Sequence, residues 1–215
     1  MQSSPLTVNE STYRALREKI LFGDMLPGRP VTLRGLAESL NVSPTPIRES
    51  VRRLIAERAL TMHDNRRVSI PVMTAKRFQE IRLARLLLEP ELACLAMSSI
   101  DQAGINELIE IDLKTDKAVE NDDVEGYMRG NYDFHFTIYR HASSDVLLSL
   151  VDSLWLQFGP YMRQVYNHLD SITLDDKHRV ATRALKNNDV IAFKNAIMED
   201  LQQGMTYIDA SNSDL

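Results

Sequence analysis

The sequence predicts a mostly α-helical chain in two parts: a small N-terminal helical unit that ends in a β hairpin, and a larger all-α bundle of about six helices. Three observations carry this. Apolar residues recur at helical spacing along most of the chain. Ser, Thr or Asp stands at the head of most such stretches, as an N-cap should. Outside residues 60–70, no run alternates long enough to build a sheet.

The first helix is predicted over Val8–Phe22, with Tyr13, Leu16, Ile20 and Leu21 inward. "GDMLPGRPV" breaks it with two glycines and two prolines. Thr32 then caps a short helix through Leu40, and "NVS" forms a tight turn. In "SPTPIRESVRRL", Ser43 is the N-cap, Pro44 the first helical residue and Pro46 the third. Prolines suit a first turn, whose backbone N–H groups have no intrahelical partner. That helix is predicted to end near Arg58, with Ile47, Val51 and Leu54 on one apolar stripe. Thr45, Arg48 and Arg52 project from the other side. A helix start that carries a hydroxyl and forked guanidiniums suits phosphate oxygens and guanine edges; the alternative is a solvated basic face. Leu60, Met62, Val68 and Ile70 alternate about a polar turn at Asp64–Asn65, which predicts a hairpin or wing with Arg66 and Arg67 at its tip. Helix, helix, tight turn, helix and wing together make a winged helix-turn-helix over residues 1–72, whose last helix would read the major groove.

Residues 73–215 are read as helices over 74–99, 102–120, 123–142, 145–168, 172–187 and 189–209, with caps at Thr74, Asp101, Asp123, Asp145 and Asp189. Gly159–Pro160 should bend the fourth. With 44% hydrophobic and 26% charged residues in 215, the composition is that of a soluble globular protein. No apolar run approaches a membrane span, and "MQSSPLTVNE" lacks the basic and apolar regions of a secretion signal. The single cysteine, Cys94, excludes an internal disulfide and a cysteine zinc cluster, and is expected to be a buried small hydrophobe. These features predict a cytoplasmic protein with no membrane partner. The net charge of −5 hides a split: residues 1–75 carry 11 Lys+Arg against 7 Asp+Glu, the remainder 14 against 23. A basic N-terminal third and an acidic remainder suggest two jobs in one chain.

From "YRALREKILFGDMLPGRPVTLRGLAESLNVSPTPIRESVRRLIAERAL" the chain resembles the winged helix-turn-helix of GntR-family bacterial transcription regulators. "RLLLEPELACLAM", "NYDFHFTIYRHAS" and "HRVATRALKNNDVIAF" resemble the FadR-type (FCD) ligand-binding domain of that family. The resemblance implies a homodimer that binds a short palindromic double-stranded DNA operator. It also implies release or reshaping of that complex when a small metabolite, an organic acid, occupies the helical domain. It puts DNA contacts on Arg34, Ser43, Thr45 and Arg48, with the wing at Arg66 and Arg67. Two positions depart from the pattern: an arginine is common at Pro44, and a glycine at Arg67.

The resemblance also implies one divalent metal, held in many members by an aspartate and three histidines. Those positions fall on Asn131, His135, His178 and Asp200, so Asn replaces the usual aspartate and Asp the last histidine. Asn131 and His135 are four apart and share a helix face, which Asp133 does not. An amide oxygen, a carboxylate and two imidazoles suit zinc, nickel or manganese. The alternative is a metal-free pocket in which both histidines hydrogen-bond the effector. His63, His141 and His168 are expected to be surface or packing residues. A carboxylate effector needs a cation: Arg85, Arg140 and Arg163 are the candidates, and Arg85 has the competing option of an ion pair with Glu89. The rival function is a helical metal-dependent hydrolase or lyase with a non-functional DNA-binding domain. No nucleophile, phosphate loop or second acid–base pair supports that rival, and the chain is predicted not to be an enzyme.

Overall fold

The computed structural model describes residues 6–23, 25–167 and 176–212. The chain divides into two compact units, Met1–Met73 with Trp155–Pro160, and Thr74–Leu154 with Tyr161–Leu215. Among the described residues no helix is long and apolar enough to cross a membrane.

The first unit holds α1 (Val8–Leu21), β1 (Val31–Thr32), α2 (Leu33–Ser39), α3 (Pro44–Ala56), β2 (Thr61–Met62) and β3 (Arg67–Ser69). α1 packs on α3, and Leu16 and Ile20 of α1 and Ile47, Val51 and Leu54 of α3 are all essentially sealed from solvent. Gly23 and Gly28, in the break after α1, have φ of 91° and 72°, the left-handed region that glycine enters without steric cost. The Gly28 N–H donates to the Ile70 carbonyl at 2.9 Å, tying this loop to the wing. The "NVS" turn is a Schellman motif: Asn41 has φ 51°, Val42 N–H donates to Ala37 O and Asn41 N–H to Glu38 O. The same motif stops α3. Arg58 takes φ 60° and Ala59 N–H reaches Leu54 O, so the helix closes two residues before the predicted end.

Ser43 occupies the N-cap position of α3, but its hydroxyl makes no capping bond. The reason lies in the sequence. The third helical residue, a usual donor to an N-cap oxygen, is Pro46 and has no N–H. The wing has one strand more than predicted. The sheet order is β1-β3-β2, both pairs antiparallel, with Val31 opposite Val68 and Met62 opposite Val68 on the other side. At two residues, β1 is too short to leave a period-two signal. Arg66, at φ 59°, is the left-handed residue of the wing turn, while Arg67 already belongs to β3.

The second unit contains α4 (Ala75–Met97), α5 (Gln102–Glu120), α6 (Val124–Arg140), the start of α7 (Asp145–Phe158), α8 (Met162–Tyr166), α9 (Lys177–Lys186) and α10 (Val190–Asn212). Thr74, Asp101 and Asp123 each accept the predicted capping bond, and Asp189 accepts from Ala192 N–H. Asp145 does not cap; it is the first residue inside α7. The predicted fourth helix is cut rather than bent, because Gly159–Tyr161 forms a 3₁₀ turn between α7 and α8. The helix predicted from 172 is described from its Asp176 cap onward; residues 168–175, and with them His168, lie outside the described residues. Cys94 is only part-buried, since it flanks the inward stripe of Leu92, Ala93, Ala96 and Met97. His63 is exposed, its Nε2 2.8 Å from Ser69 Oγ, and His141 is half-buried, its Nδ1 2.7 Å from Thr137 O.

In this bundle α5 lies along α6, and α10 packs on α4, α8 and α9. The closest approach of α5 and α6 depends on Gly130. A Cβ there would come within 2.0 Å of Thr115 Oγ1, which is itself bonded to the Ile111 carbonyl. Gly130→Ala should therefore lower stability by about 1–3 kcal/mol through overpacking, partly offset by helix propensity worth about 1 kcal/mol. The double variant Gly130→Ala/Thr115→Ala removes the hydroxyl but leaves the two Cβ atoms 3.0 Å apart, so it should recover part of the loss. Urea unfolding of both reads the sign; a single variant as stable as wild type would mean the helices part at little cost.

Candidate DNA-reading face and buried histidine–carboxylate site

The candidate reading face is the start of α3. The apolar stripe locks Ile47, Val51 and Leu54 inward, so Ser43, Thr45 and Arg48 are exposed on the other side. The basic residues of this unit differ in their commitments. Arg34 pairs with Glu38 at 2.8 Å and Arg52 with Glu49 at 3.0 Å, both in the open. Exposed pairs of this kind contribute little and yield readily to a phosphate. Arg53 bonds Glu57 and Glu10 and lies 3.5 Å over the Tyr13 ring, whose hydroxyl also donates to Glu57. Arg53 is therefore part of the unit's framework. The Glu49 and Glu57 carboxylates are taken by Arg52 and Arg53. Arg48 has no ion pair among the described residues.

In the second unit His135 on α6, His178 on α9 and Asp200 on α10 converge, each offering a ligand atom within 4.8 Å of the others. His135 Nε2 is 2.9 Å from Asp200 Oδ2, and His178 Nε2 is 3.7 Å from Asp200 Oδ1. Both histidines are buried and Asp200 is part-buried. Asn131 is buried one turn before His135 on the same helix. Phe134 stacks on the His178 ring at 3.8 Å and 11°, fixing its plane. Burial works against a charged imidazole at His178, but Asp200 and Asp112 outweigh it and hold this group above its usual value. Burial also favours a neutral Asp200, yet His178 and His135 hold its carboxyl below the usual range.

Behind each histidine stands a second layer. His178 Nδ1 is 3.0 Å from Asp112 Oδ1 on α5. His135 Nδ1 is 3.1 Å from the Tyr139 hydroxyl, which donates to Glu89 Oε2 at 2.8 Å. Glu89 in turn receives Arg85 Nε at 2.5 Å. The ion pair with Glu89 is thus formed, and Arg85 and Glu89 are both sealed from solvent. Of the other arginines, Arg140 is exposed against the Phe136 ring. Arg163 on α8 has a buried Nε with no hydrogen-bond partner among the described residues. Sequence reasoning missed Asp112 and Tyr139. A signal for Asp112 was present: it falls on the inward stripe of Ile105, Leu108 and Thr115, where a carboxylate is out of place unless something polar faces it.

Comparison with known protein families matches "Bacterial regulatory proteins, gntR family" over residues 8–70 and the FCD domain over residues 80–203. The chain belongs to the GntR family. Its relatives include the HTH-type transcriptional regulator McbR of Escherichia coli K12, 26% identical over 90% of this chain and 89% of McbR. The Bacillus subtilis HTH-type regulator YdhC is 30% identical over 82% of this chain and 80% of its own. The fold is that of E. coli McbR/YncC, at a TM-score of 0.88 and 24% identity over 97% and 100% of the two chains. This GntR-family chain is therefore a DNA-binding transcription regulator and not an enzyme, which removes the hydrolase or lyase alternative.

Proposed function

We propose that this regulator acts in the cytoplasm as a homodimer on a palindromic operator. Its affinity for that operator is set by a small carboxylate effector, bound in the helical unit through a divalent metal (zinc, nickel or manganese). The observation that carries the reading is the meeting of His135, His178 and Asp200 in a buried place. The donor set fits a metal: His178 Nε2 is buried with no hydrogen-bond partner among the described residues, and two imidazoles with a carboxylate suit a borderline cation. Asn131, one turn from His135, is the candidate fourth ligand. Arg163 is the better carboxylate clamp, because Arg85 already serves Glu89 and Arg140 faces solvent. It lies three residues before Tyr166, on the same helix side. Tyr166 meets Tyr127, whose hydroxyl is pushed up by burial and by the charge of Asp200. That chain of neighbours leads from Arg163 toward the metal ligands. On DNA, Arg48 would read a base edge, with Arg34, Ser43, Thr45, Arg52, Arg66 and Arg67 on phosphates.

A metal-free pocket is the second reading. It is favoured by the bonds that His135 and His178 already make to Asp200 and Asp112. The test is a gel shift at low salt with DNA from the gene's own neighbourhood, repeated with chelator-treated protein and a panel of chelating and non-chelating carboxylates. Binding that a chelating carboxylate changes only in metal-loaded protein supports the proposal. A carboxylate response that survives the chelator favours the metal-free pocket, and failure to bind any such DNA overturns the operator reading.

A further inference from the structure

The two histidines are each gripped by the ring nitrogen that faces away from Asp200. Asp112 has its second oxygen 3.7 Å from the Arg179 guanidinium, and its first accepts from His178 Nδ1 at 3.0 Å. The proton on that histidine is therefore at Nδ1. On His135 the same result follows from a different partner. Tyr139 has one O–H and gives it to Glu89. Its oxygen is left only to accept, and the nitrogen it faces is His135 Nδ1. With Nδ1 as the donor, the neutral form of each ring keeps its lone pair on Nε2, the form that can ligate an ion. Both Nε2 atoms point toward the oxygens of Asp200, at 2.9 and 3.7 Å. The three atoms, within 4.8 Å of each other, need only a modest adjustment to sit about 2.0–2.2 Å from one ion.

We propose that Asp112, and Tyr139 backed by Glu89, are positioning residues of a divalent-cation site: they hold His178 and His135 in the tautomer that turns both Nε2 atoms, with Asp200, toward one ion. The inference rests on the metal reading above and adds residues outside the four ligand positions. Outer-layer partners of this kind fix ring orientation and raise ligand basicity. Each histidine has its own: Asp112 reaches His178 from α5, while Glu89 acts on His135 from α4 through Tyr139. The two arms should therefore be separable.

The experiment uses the full chain, stripped of metal and titrated with zinc against a chromophoric chelator, as wild type, Asp112→Asn and Tyr139→Phe. Each variant should bind zinc about 10- to 100-fold more weakly. Long-range ¹H–¹⁵N spectra of the imidazoles supply the readout that a merely structural role would not move. Wild type should show Nδ1–H on both histidines, with Nε2 shifted by zinc. Asp112→Asn should blur the tautomer of His178 and leave His135 alone, and Tyr139→Phe the reverse. Zinc binding by wild type with affinities unchanged in both variants would overturn the inference and leave the metal reading standing. No uptake of zinc, nickel or manganese by wild type would overturn both. Should a variant fail to fold, the wild-type spectrum decides: an Nε2–H tautomer on either histidine of zinc-saturated protein sinks the proposal.

Discussion

Arg48→Ala should abolish specific operator recognition while leaving the melting temperature unchanged. The side chain stands exposed on the outer face of α3, and no carboxylate among the described residues holds it. Removing it therefore breaks nothing within the unit. On the proposed reading its fork grips a guanine edge, and losing such a contact costs about 1–3 kcal/mol, or roughly 5- to 150-fold in affinity for each half-site. In a dimer the loss compounds over two half-sites, which takes specific binding down toward the non-specific level. The controls separate base reading from phosphate contact. Arg66→Ala and Arg67→Ala should weaken all sequences alike and reduce the salt slope by about one. Fluorescence anisotropy on operator and scrambled DNA, across a salt series, reads both effects. Equal discrimination by wild type and Arg48→Ala would move the reading face away from the start of α3.

The elements that were legible in the sequence are those whose cause is local. The start of α3 follows from Ser43 and two prolines, and the caps at Thr74, Asp101, Asp123 and Asp189 follow from short oxygen-bearing side chains before apolar stripes. The misses are of two kinds. Some are small local effects: β1 spans two residues, and a left-handed Arg58 closes α3 with no glycine to announce it. Others are non-local. Asn131 and His135 could be placed on one face by counting, but nothing in the spacing brings His178 and Asp200 to them; the resemblance to a known family supplied those positions. Asp112 lies 66 residues from His178, so only the packing of α5 on α9 reveals the pair. The competing option for Arg85, an ion pair four residues on, was readable because it lies within one helix.

That pair carries the largest stability effect expected in the second unit. Glu89 is fully buried and Arg85 nearly so, and the carboxylate serves two partners, Arg85 and Tyr139. Glu89→Ala would leave a guanidinium in the interior with its charge uncompensated, at a cost of about 3–5 kcal/mol. Against a typical domain stability of about 5–15 kcal/mol, this is enough to shift the unfolding midpoint far below wild type. The presence of the pair does not mean that it stabilises relative to an apolar core. Two charges give up much hydration to meet, so Arg85→Met/Glu89→Leu should recover most of the loss. It will not recover all of it, because Tyr139 exchanges a charged acceptor for the His135 Nδ1 lone pair, a weaker hydrogen bond. Adding Tyr139→Phe removes that hydroxyl, and the triple variant should approach wild type in urea unfolding. The triple variant also lacks the hydroxyl that grips His135 Nδ1. It should therefore be stable yet weak in zinc binding, which parts the demands of folding from those of the site. A Glu89→Ala protein that unfolds at the wild-type midpoint would mean that Arg85 finds solvent and that this pair is not closed in solution.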